Sequence, residues 1–376
     1  MKIVFTGGGT GGHFYPIIAV VQQVNKIIDD EKIIGAKLYY FSDEPYDKEM
    51  LFEHRLIFEG VNTGKMRTYF SLKNFSDMVK TFFGVINATY KVFTVYPDVV
   101  FGKGGYASFP TIFAARILNI PVFIHESDYA PGRVNAWAGK FAKRIAVSYK
   151  ESADFFPSTR VAWTGQPIRV EIQQKADHNE ALDFFKLDSN LPVILILGGS
   201  LGAELINNTI LDALPRLLKN FRIIHQTGVR NFKDVQSQAD VVLLDDKNRS
   251  RYLPYAFLNP LQMKMAAGAA SFVVSRAGST IFEIASWGVP SILVPFTKSN
   301  ADHAKKNAFA YARAGCCSVV EEKNMTANIL SSEIERIIED KDTYNKMSAN
   351  ALVFGKKDAA EKIARELINM AMVHES

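Results

Sequence analysis

Cysteine is nearly absent from this sequence, which has only two among 376 residues. Cys316 and Cys317 are adjacent, and this disfavours a structural disulfide between them. A chain without a disulfide framework is typical of a reducing compartment. No apolar run approaches the ~20 residues that span a bilayer, and the residues after Met1 do not form a signal-peptide core. These absences predict a soluble cytoplasmic protein and leave contact with a membrane surface open.

Metal-ligating clusters are also missing from the sequence. The one Asp-x-Asp pair, Asp340 and Asp342, lies in a charge-mixed stretch that is typical of a solvated helix. No Walker-type phosphate loop and no nucleic-acid-binding motif occurs. We therefore expect no metal, no other cofactor and no nucleic-acid partner. The net charge of +5 is mild, so only local clusters of basic residues are informative about partners.

Length and internal repetition predict two domains. The chain is longer than one ordinary core, and 48% of its residues are apolar, as in a globular protein. Lys2–Thr6 leads into the glycine-rich Gly7–His13, and Val193–Leu197 leads into the glycine-rich Gly198–Ala203; a helical pattern follows each. This repeat of strand, glycine turn and helix predicts an α/β fold with two Rossmann-like domains.

Glycine and proline near residues 164–167 interrupt the pattern and indicate the join between the domains. We predict an N-terminal domain over residues 1–163, a C-terminal domain over 164–350 and a final helix over 351–376. One face of that helix is apolar, which predicts that it packs back on the N-terminal domain. The apolar positions are Ala360, Ile363, Ala364, Leu367, Ile368 and Ala371.

Short apolar runs without alternation predict parallel strands that are buried on both faces. The predicted strands of the first half are Lys2–Thr6, Lys37–Phe41, Val99–Phe101, Val122–Ile124 and Arg144–Val147. Those of the second half are Val193–Leu197, Arg222–His225, Asp240–Leu244, Ser271–Val274, Ser291–Val294 and Ser318–Val320.

Polar and glycine-rich loops after these strands are the candidate functional segments, because open parallel sheets bind ligands at the carboxyl ends of their strands. In Gly7–His13 the glycines let the backbone approach a ligand closely, and His13 at the helix start can act as a base. A purely structural role for His13 is equally compatible with its position. Glu126 is a second candidate base, and its neighbour His125 is expected to hold the loop.

The first glycine loop also fits another chemistry. Gly7, Gly9 and Gly12 satisfy the dinucleotide pattern G-x-G-x-x-G, and Asp43 ends the next predicted strand. Hydride transfer with a dinucleotide is therefore an alternative hypothesis, although this pattern alone has little specificity.

The loops of the second half are suited to a nucleotide. Gly198–Ala203 opens a helix whose N-terminus can hold a diphosphate together with Ser200. Glu283, in the helix after Ser275–Arg276, is placed to bind the two hydroxyls of a ribose, while Ser279 can cap that helix. Without a metal, helix N-termini and Arg169 would have to neutralise a leaving diphosphate.

Together and in this order, these loops resemble the MurG family of peptidoglycan N-acetylglucosaminyltransferases over nearly the whole chain. The matching segments are Gly7–His13 with Pro16, Gly104–Tyr106, His125–Glu126, Gly165–Arg169, Gly198–Ala203, Ser275–Glu283, Gly288 with Pro290, Val294–Pro295, Asp302–His303 and Asn307–Ala308. One loop alone would have little specificity, whereas the set is highly specific.

The resemblance implies a GT-B fold, in which two Rossmann-like domains face each other across a cleft. It implies transfer of N-acetylglucosamine from UDP-N-acetylglucosamine to the 4-hydroxyl of undecaprenyl-diphosphate-linked N-acetylmuramoyl-pentapeptide, from lipid I to lipid II in peptidoglycan synthesis. The expected reaction is a metal-independent direct displacement with inversion, and His13 and Glu126 are the rival bases.

The resemblance also implies substrate contacts in both domains. The residues implied to bind substrate are Thr10, Gly11, Gly12, Tyr106, Asp128, Asn135, Arg169, Ser200, Phe257, Leu258, Ser279, Thr280, Glu283 and His303. Phe257 and Leu258 correspond to the uracil-contacting pair, whereas Arg169 and Ser200 correspond to contacts with the nucleotide and diphosphate.

Three departures from the family pattern affect this transfer of roles. The common His-Glu-Gln-Asn reads His-Glu-Ser-Asp at residues 125–128, so an amide becomes a carboxylate. The common Asp-His-Gln reads Asp-His-Ala at residues 302–304. The stretch Arg276–Glu283 is one residue shorter than the common pattern, so assignments inside it can shift by one.

Residues 64–96 combine aromatic side chains with five basic residues and one acid, Asp77. The basic residues are Lys65, Arg67, Lys73, Lys80 and Lys91. Because the implied acceptor carries a lipid, this composition favours binding to an anionic membrane surface, on the cytoplasmic face of the cell membrane. The alternative is that these aromatic residues belong to the cores of ordinary helices. A sugar-nucleotide sensor and a UDP-sugar epimerase are the two other functions that fit this fold.

Overall fold

The computed structural model describes residues 1–64, 73–187, 191–199, 202–297 and 302–375, with the side chains of 73–78 and 374–375 outside the description. The chain divides into two compact units. Unit 1 comprises Met1–Arg169 and Lys357–Ser376, and unit 2 comprises Val170–Lys356. The predicted boundaries, at residues 163/164 and 350/351, each lie a few residues before the corresponding boundary between the two units.

Unit 1 is built on a parallel sheet with the strand order β3-β2-β1-β4-β5-β6-β7. Its strands are β1 (Lys2–Thr6), β2 (Lys37–Ser42), β3 (Leu56–Gly60), β4 (Val99–Gly102), β5 (Val122–Glu126), β6 (Arg144–Val147) and β7 (Val161–Trp163). Its helices up to the division are α1 (Gly11–Asp30), α2 (Lys48–Glu53), α3 (Lys73–Val95), α4 (Phe109–Ile117) and α5 (Arg133–Ala138). The central strands β1, β4 and β5 are buried over almost their whole length because both faces of the sheet are covered.

Unit 2 repeats this plan with the parallel order β10-β9-β8-β11-β12-β13. Its strands are β8 (Val193–Leu197), β9 (Arg222–Gln226), β10 (Tyr252–Tyr255), β11 (Ala270–Arg276), β12 (Ser291–Val294) and β13 (Cys317–Val319). Its helices are α6 (Val170–Gln173), α7 (His178–Phe184), α8 (Glu204–Leu217), α9 (Phe232–Val242), α10 (Pro260–Ala269), α11 (Thr280–Trp287), α12 (His303–Arg313), α13 (Ala327–Glu339) and α14 (Lys341–Phe354).

The predicted strand Asp240–Leu244 is wrong. This segment forms the end of α9 and the turn after it. Its apolar side chains are largely exposed, 76% for Val241 and 71% for Leu244, and the strand beside β9 is β10. A short apolar run does not distinguish a strand from the exposed end of a helix.

The sequence analysis also omitted β3, β7 and β10. All three are edge strands, and most of their residues are only partly buried or exposed. They read Leu-Ile-Phe-Glu-Gly, Val-Ala-Trp and Tyr-Leu-Pro-Tyr, and such short runs do not by themselves distinguish a strand from other structure.

The C-terminal helix α15 (Ala359–Glu375) belongs to unit 1. The six residues of its predicted apolar face are all buried. Ile363 and Leu367 share a core cluster with Ile17 and Val21 of α1. The predicted α/β fold, with two Rossmann-like sheets and a final helix on the first of them, is thus confirmed.

Within the described ranges, no helix has both the length and the apolar character that crossing a bilayer requires.

Candidate active site

The sheet of unit 1 has its switch point between β1 and β4, where the order of the strands reverses. Thr6 at the end of β1 is paired with Gly102 at the end of β4, so the glycine-rich loops after both strands leave the sheet at the same level. The backbone N–H of Lys103 donates to the carbonyl oxygen of Thr6 at 2.9 Å and ties the loops together. Open α/β sheets bind ligands at such a point.

Glycine is required in both loops because side chains of the neighbouring segments approach their backbones. Gly9 has φ +84°, and a Cβ atom there would lie 2.7 Å from the ring of Tyr106. Gly105 has φ +79°, and a Cβ atom there would lie 3.1 Å from Cδ2 and Nε2 of His13. Gly105 of the second glycine loop therefore lies beside both the His13 ring and the carbonyl oxygen of Gly8, an arrangement that we call the His13 cradle.

His13 lies in the first turn of α1, where its backbone N–H donates to the carbonyl oxygen of Thr10 at 3.1 Å. The pKa of His13 is lowered to about 4, mainly by burial and also by the positive charge of Lys103, while the carboxylate of Asp128 acts in the opposite direction. The ring is therefore neutral at neutral pH. Its Nδ1 atom is buried and has no hydrogen-bond partner among the described residues. A neutral, partly exposed imidazole beside a ligand cradle has the chemistry of a proton acceptor.

Glu126 ends β5 and is 4% exposed. Its Oε1 accepts a hydrogen bond from the N–H of Asp128 at 2.9 Å. Its Oε2 accepts from the N–H of Gly132 at 3.0 Å and from Nδ2 of Asn135 at 2.9 Å. Burial raises the pKa of Glu126, and the nearby charge of Asp128 raises it further. Both carboxylate oxygens are thus engaged in holding the loop that leads to α5.

The neighbouring His125 is fully buried, and burial lowers its pKa well below the ordinary value. Its Nε2 lies 3.0 Å from the carbonyl oxygen of Gly165. His125 therefore fastens β5 to the segment that leads to Arg169.

Asn135 is 2% exposed, and its Nδ2 donates both to Glu126 and to the carbonyl oxygen of His125, at 3.0 Å. Asp128 is partly exposed. The prediction that both residues face the reacting sugar stays a prediction, and the burial of Asn135 favours a structural contribution from its side chain.

The predicted binding residues Thr10, Gly11 and Gly12 lie at the start of α1 and are at least partly exposed. Tyr106 packs on the first glycine loop, and its hydroxyl donates to Asp43 at 2.9 Å. Asp43, which a dinucleotide would need for its ribose, is thus engaged within the protein.

Arg169 lies near the same loop. Its guanidinium group stands 4.1 Å from the centre of the Tyr15 ring, and a Cβ atom at Gly11 would contact both Tyr15 and Tyr46. The guanidinium group of Arg169, which is predicted to bind the diphosphate, is therefore held in place by stacking on an aromatic side chain of α1.

In unit 2, the predicted nucleotide loops follow the neighbouring central strands β8 and β11. Ser200 lies outside the described residues. Ser279 and Thr280 form the start of α11, and Glu283 follows in its first turn, partly exposed. His303, the first residue of α12, is also partly exposed.

The predicted uracil-contacting pair differs in accessibility. Phe257 is 46% exposed, whereas Leu258 is 2% exposed and its backbone N–H donates to Oε1 of Gln226 at 2.9 Å. A base could therefore stack on Phe257, while Leu258 is held against β9. Their contact with uracil stays a prediction.

Two charged groups near these loops were not among the predicted site residues. Lys103 is 1% exposed and lies between His13 and the β5 loop. Arg276, at the end of β11, forms an ion pair with Glu322 at 2.7 Å, and the other oxygen of Glu322 accepts from the N–H of Thr297 at 3.0 Å. For Lys103 the sequence offered one signal, a lysine between glycines at the end of a buried strand. The ion pair of Arg276 and Glu322 joins distant positions, so no local pattern indicated it.

In the part of the chain that the structure describes, no group of three or more His, Cys, Asp and Glu side chains is arranged to hold a metal ion.

Comparison with known proteins relates both units to glycosyltransferases. Residues 3–147 match the Glycosyltransferase family 28 N-terminal domain, and residues 193–363 match the Glycosyltransferase family 28 C-terminal domain. A protein of Bacillus thuringiensis is 34% identical over 92% of this chain and 93% of its own length. It is named UDP-N-acetylglucosamine--N-acetylmuramyl-(pentapeptide) pyrophosphoryl-undecaprenol N-acetylglucosamine transferase 3.

Two solved structures share the fold. The crystal structure of Acinetobacter baumannii MurG has a TM-score of 0.73 at 23% identity, covering 98% of this chain and 99% of that one. The UDP-GlcNAc 2-epimerase from Neisseria meningitidis, bound to UDP-GlcNAc, has a TM-score of 0.68 at 17% identity, covering 98% and 100%.

The fold is thus shared by transferases and epimerases, while the sequence identity is with the transferases. With both family 28 domains and 34% identity to such a transferase over 92% of its length, this chain belongs to the MurG family of glycosyltransferases.

Proposed function

We propose that this protein transfers N-acetylglucosamine from UDP-N-acetylglucosamine to lipid-linked N-acetylmuramoyl-pentapeptide, converting lipid I to lipid II in peptidoglycan synthesis. The observation that carries the proposal is the identity of 34% over 92% of the chain with a relative named for this transfer. The His13 cradle supports it, because the reaction needs a proton acceptor beside the acceptor hydroxyl.

The proposed chemistry is a single displacement with inversion. The oxygen of the acceptor 4-hydroxyl forms a bond with the anomeric carbon of the donor sugar while the bond from that carbon to the diphosphate breaks. The hydroxyl proton passes to a base, and UDP leaves with the bonding electrons. An α-linked donor gives a β-1,4-linked product.

His13 is the base that the geometry favours over Glu126. Its ring is neutral, partly exposed and close to Gly105 of the second glycine loop. Glu126 accepts three hydrogen bonds from the protein and is almost fully buried, so an acceptor hydroxyl would have to displace one of them. We assign to Glu126 the positioning of the loop that carries Asp128.

The leaving diphosphate is proposed to be stabilised without a metal. The helix α11 begins at Thr280, beside Ser279, and helix N-termini bind anions. The guanidinium of Arg169 provides a full positive charge.

Contact with an anionic membrane surface is part of the proposal, and α3 supports it. Phe82, Tyr90 and Phe93 are 63%, 67% and 63% exposed, and they lie with Ile86 at helical spacing on one face, whereas Ala88 and Val92 are buried. Core packing, which is the alternative to a membrane surface, therefore explains only part of the apolar side chains on α3.

Beside this face, α3 and the end of α4 line an open apolar groove of about 470 Å³. Of the five basic residues, Lys80 is exposed, whereas Lys91 pairs with Glu59 at 2.7 Å. Lys65, Arg67 and the side chain of Lys73 lie outside the described residues. The apolar face on α3 is therefore the described part of the proposed membrane surface.

The test is incubation with UDP-N-acetylglucosamine in the presence and absence of the lipid-linked acceptor. We expect release of UDP that depends on the acceptor, a β-1,4 linkage in the product by NMR, and unchanged rates in EDTA. Epimerised donor formed without acceptor would favour the epimerase, and binding without turnover would favour the sensor. Loss of activity in EDTA that Mg²⁺ or Mn²⁺ restores would contradict the metal-free stabilisation of UDP.

A further inference from the structure

A short segment of unit 2 carries the predicted base-contacting pair. Residues 255–258, which we call the base bridge, join the end of β10 to Asn259, the residue that caps α10. Phe257 in this segment is 46% exposed, whereas its neighbour Leu258 is 2% exposed. Because the segment is so short, the contacts at its two ends determine how the exposed ring of Phe257 is oriented.

The C-terminal end of the base bridge is held by Gln226, the last residue of β9. Oε1 of Gln226 accepts a hydrogen bond from the backbone N–H of Leu258 at 2.9 Å. Gln226 is 4% exposed, so this hydrogen bond is shielded from water. A buried backbone N–H that loses its acceptor costs free energy, and the bond therefore fixes the position of Leu258.

The N-terminal end of the base bridge is held by Thr227, the residue after Gln226. The backbone N–H of Thr227 donates to the carbonyl oxygen of Tyr255 at 2.9 Å, and its hydroxyl donates to the same oxygen at 3.2 Å. The carbonyl oxygen of Thr227 in turn accepts from Nδ2 of Asn207 on α8 at 3.0 Å. Two consecutive residues thus hold the base bridge on both sides of Phe257.

Gln226 also contacts the glycine loop after β8. Its backbone carbonyl oxygen accepts a hydrogen bond from the N–H of Gly198 at 3.3 Å, and Gly198 opens the loop that is predicted to hold a diphosphate. The side chain of Gln226 therefore holds the base bridge, while its main chain holds the diphosphate loop. Substitution of Gln226 removes the first contact and keeps the second.

We propose that Gln226 is a positioning residue for the nucleotide base: its side chain fixes the base bridge so that the ring of Phe257 is presented to the uracil of a uridine diphosphate. This inference rests on the proposed function, because it takes the donor to be a uridine nucleotide that binds to unit 2. Stacking of a base on an aromatic ring contributes to binding when the ring is held in place. Without the bond from Leu258 to Gln226, the base bridge would shift to pair the buried N–H, whereas the diphosphate loop would keep its own hydrogen bond.

The experiment compares the wild-type protein with Gln226→Met and Gln262→Met, and the ligand is UDP with a fluorine atom on its uracil ring. Methionine has a length similar to that of glutamine but no oxygen to accept from Leu258. Gln262→Met is the matched control: Oε1 of Gln262 accepts from the backbone N–H of Asn259 at 3.0 Å and so holds the cap of α10. We would measure the Kd by calorimetry, the fluorine NMR shift of the bound base and the phosphorus NMR shifts of the bound diphosphate.

Gln226→Met is expected to raise the Kd about tenfold or more, the usual effect of losing one well-placed hydrogen bond. The fluorine shift should move toward that of the free nucleotide, while the phosphorus shifts stay at their wild-type positions. Gln262→Met should leave the Kd within about twofold and all shifts unchanged. If Gln226→Met does not fold, Thr227→Val provides the test, since it removes the hydroxyl that donates to Tyr255 and should move the fluorine shift in the same direction.

The proposal is overturned if Gln226→Met binds the nucleotide like the wild type, or if Gln262→Met has the same effect. It is also overturned if the fluorine and phosphorus shifts move together, because a general loosening of unit 2 would act so. A moved fluorine shift in a protein without acceptor-dependent UDP release would refute the proposed function and leave the assignment of Gln226 standing. Intact transfer with an unmoved fluorine shift would refute the assignment alone.

Discussion

At the scale of single residues, the two candidate bases differ in what surrounds them. In the sequence Glu126 is a rival to His13 as the base, because both lie at or just beyond the carboxyl end of a strand of the same sheet. Three hydrogen bonds engage the Glu126 carboxylate, whereas the His13 ring is partly exposed and lies beside Gly105. The environment, and not the residue type, therefore separates their roles.

Substitution of His13 by alanine is expected to lower kcat roughly 10²- to 10⁴-fold, the usual contribution of a general base. Donor affinity should change little, because the nucleotide is proposed to bind mainly to unit 2. Steady-state kinetics and donor titration by calorimetry measure the two effects.

Glu126→Gln is the companion variant. It keeps one acceptor oxygen, so we expect a loss of stability of about 1–3 kcal/mol from imperfectly paired buried groups, and a smaller loss of turnover than in His13→Ala. Near-normal turnover in His13→Ala together with abolished turnover in Glu126→Gln would reverse the assignment.

Residues 127 and 128, where this chain differs from the common family pattern, lie near the same buried side chain. Ser127 accepts the hydrogen bond of Lys103, and Asp128 provides a carboxylate near it. In the sequence these looked like isolated differences. In the structure both concern the buried ammonium group.

At the scale of secondary-structure elements, a buried histidine links three elements of unit 2. Nδ1 of His225 on β9 lies 2.9 Å from the hydroxyl of Tyr252 on β10, and its Nε2 lies 3.1 Å from Oδ1 of Asn207 on α8. Asn207 in turn donates to the carbonyl oxygen of Thr227 at 3.0 Å. Since Tyr252 donates and Asn207 Oδ1 accepts, this network fits the neutral ring.

Burial lowers the pKa of His225 from 6.5 to about 3 in the folded protein. The unfolded chain therefore binds a proton below pH 6.5 that the folded chain does not bind, and the stabilisation present above this pH is lost as the pH falls toward 3. We expect the free energy of unfolding to decrease by about 1.4 kcal/mol per pH unit from this group.

Urea denaturation of the wild-type protein and of His225→Gln between pH 7 and pH 4.5 measures this effect. The difference in stability between the two should shrink as the pH falls. His54→Gln, at a partly exposed position after α2, is the control and should follow the wild-type pH dependence. A constant difference between wild type and His225→Gln would contradict the assignment.

The helix α15 should be essential to the stability of unit 1. Leu367 is fully buried in the core cluster that also contains Ile17 and Val21. Leu367→Ala is expected to lower the free energy of unfolding by about 2–5 kcal/mol, because it removes apolar burial and leaves a cavity.

Met372→Ala is the matched control on the same helix, since Met372 is 45% exposed. Its effect should stay within about 0.5 kcal/mol. Equal effects of the two variants in urea denaturation would show that α15 does not contribute to the unit 1 core.

At the scale of the whole molecule, the exposed apolar side chains are not distributed evenly. Those on α3 form a continuous face beside an apolar groove, whereas Val241 and Leu244 of unit 2 border a pocket that also contains Asp245, Asp246 and Lys247. A contiguous apolar face is the feature that marks a binding surface.

Phe82→Ser combined with Phe93→Ser is expected to weaken binding to phosphatidylglycerol liposomes at least tenfold, because aromatic burial in the interface contributes about 1.5–3 kcal/mol for each fully buried side chain. Activity on a short-chain, water-soluble acceptor should stay within about twofold, since no bilayer is needed. Co-sedimentation and kinetics measure the two properties.

Val241→Ser with Leu244→Ser is the control pair, and it removes comparable exposed apolar side chains from unit 2. Liposome binding should be unaffected. Equal binding by wild type, the α3 variant and the control would remove α3 from the proposed membrane surface.

The sequence by itself determined the central strands, the two glycine loops and the buried face of α15. These depend on local patterns: continuous apolar runs, glycine at positions of close approach, and helical periodicity. The set of loops in order also identified the family, which the relatives confirm.

Only the tertiary structure decided which side chains meet. The runs of β3, β7 and β10 are too short to specify strands by themselves, and Asp240–Leu244 carries an apolar signal on the exposed end of a helix. In the sequence Lys103 is only a lysine among glycines. In the folded protein it is buried beside residues more than twenty positions later in the chain. Contacts between distant segments, and the pKa shifts that burial causes, depend on the folded arrangement, so no local pattern encodes them.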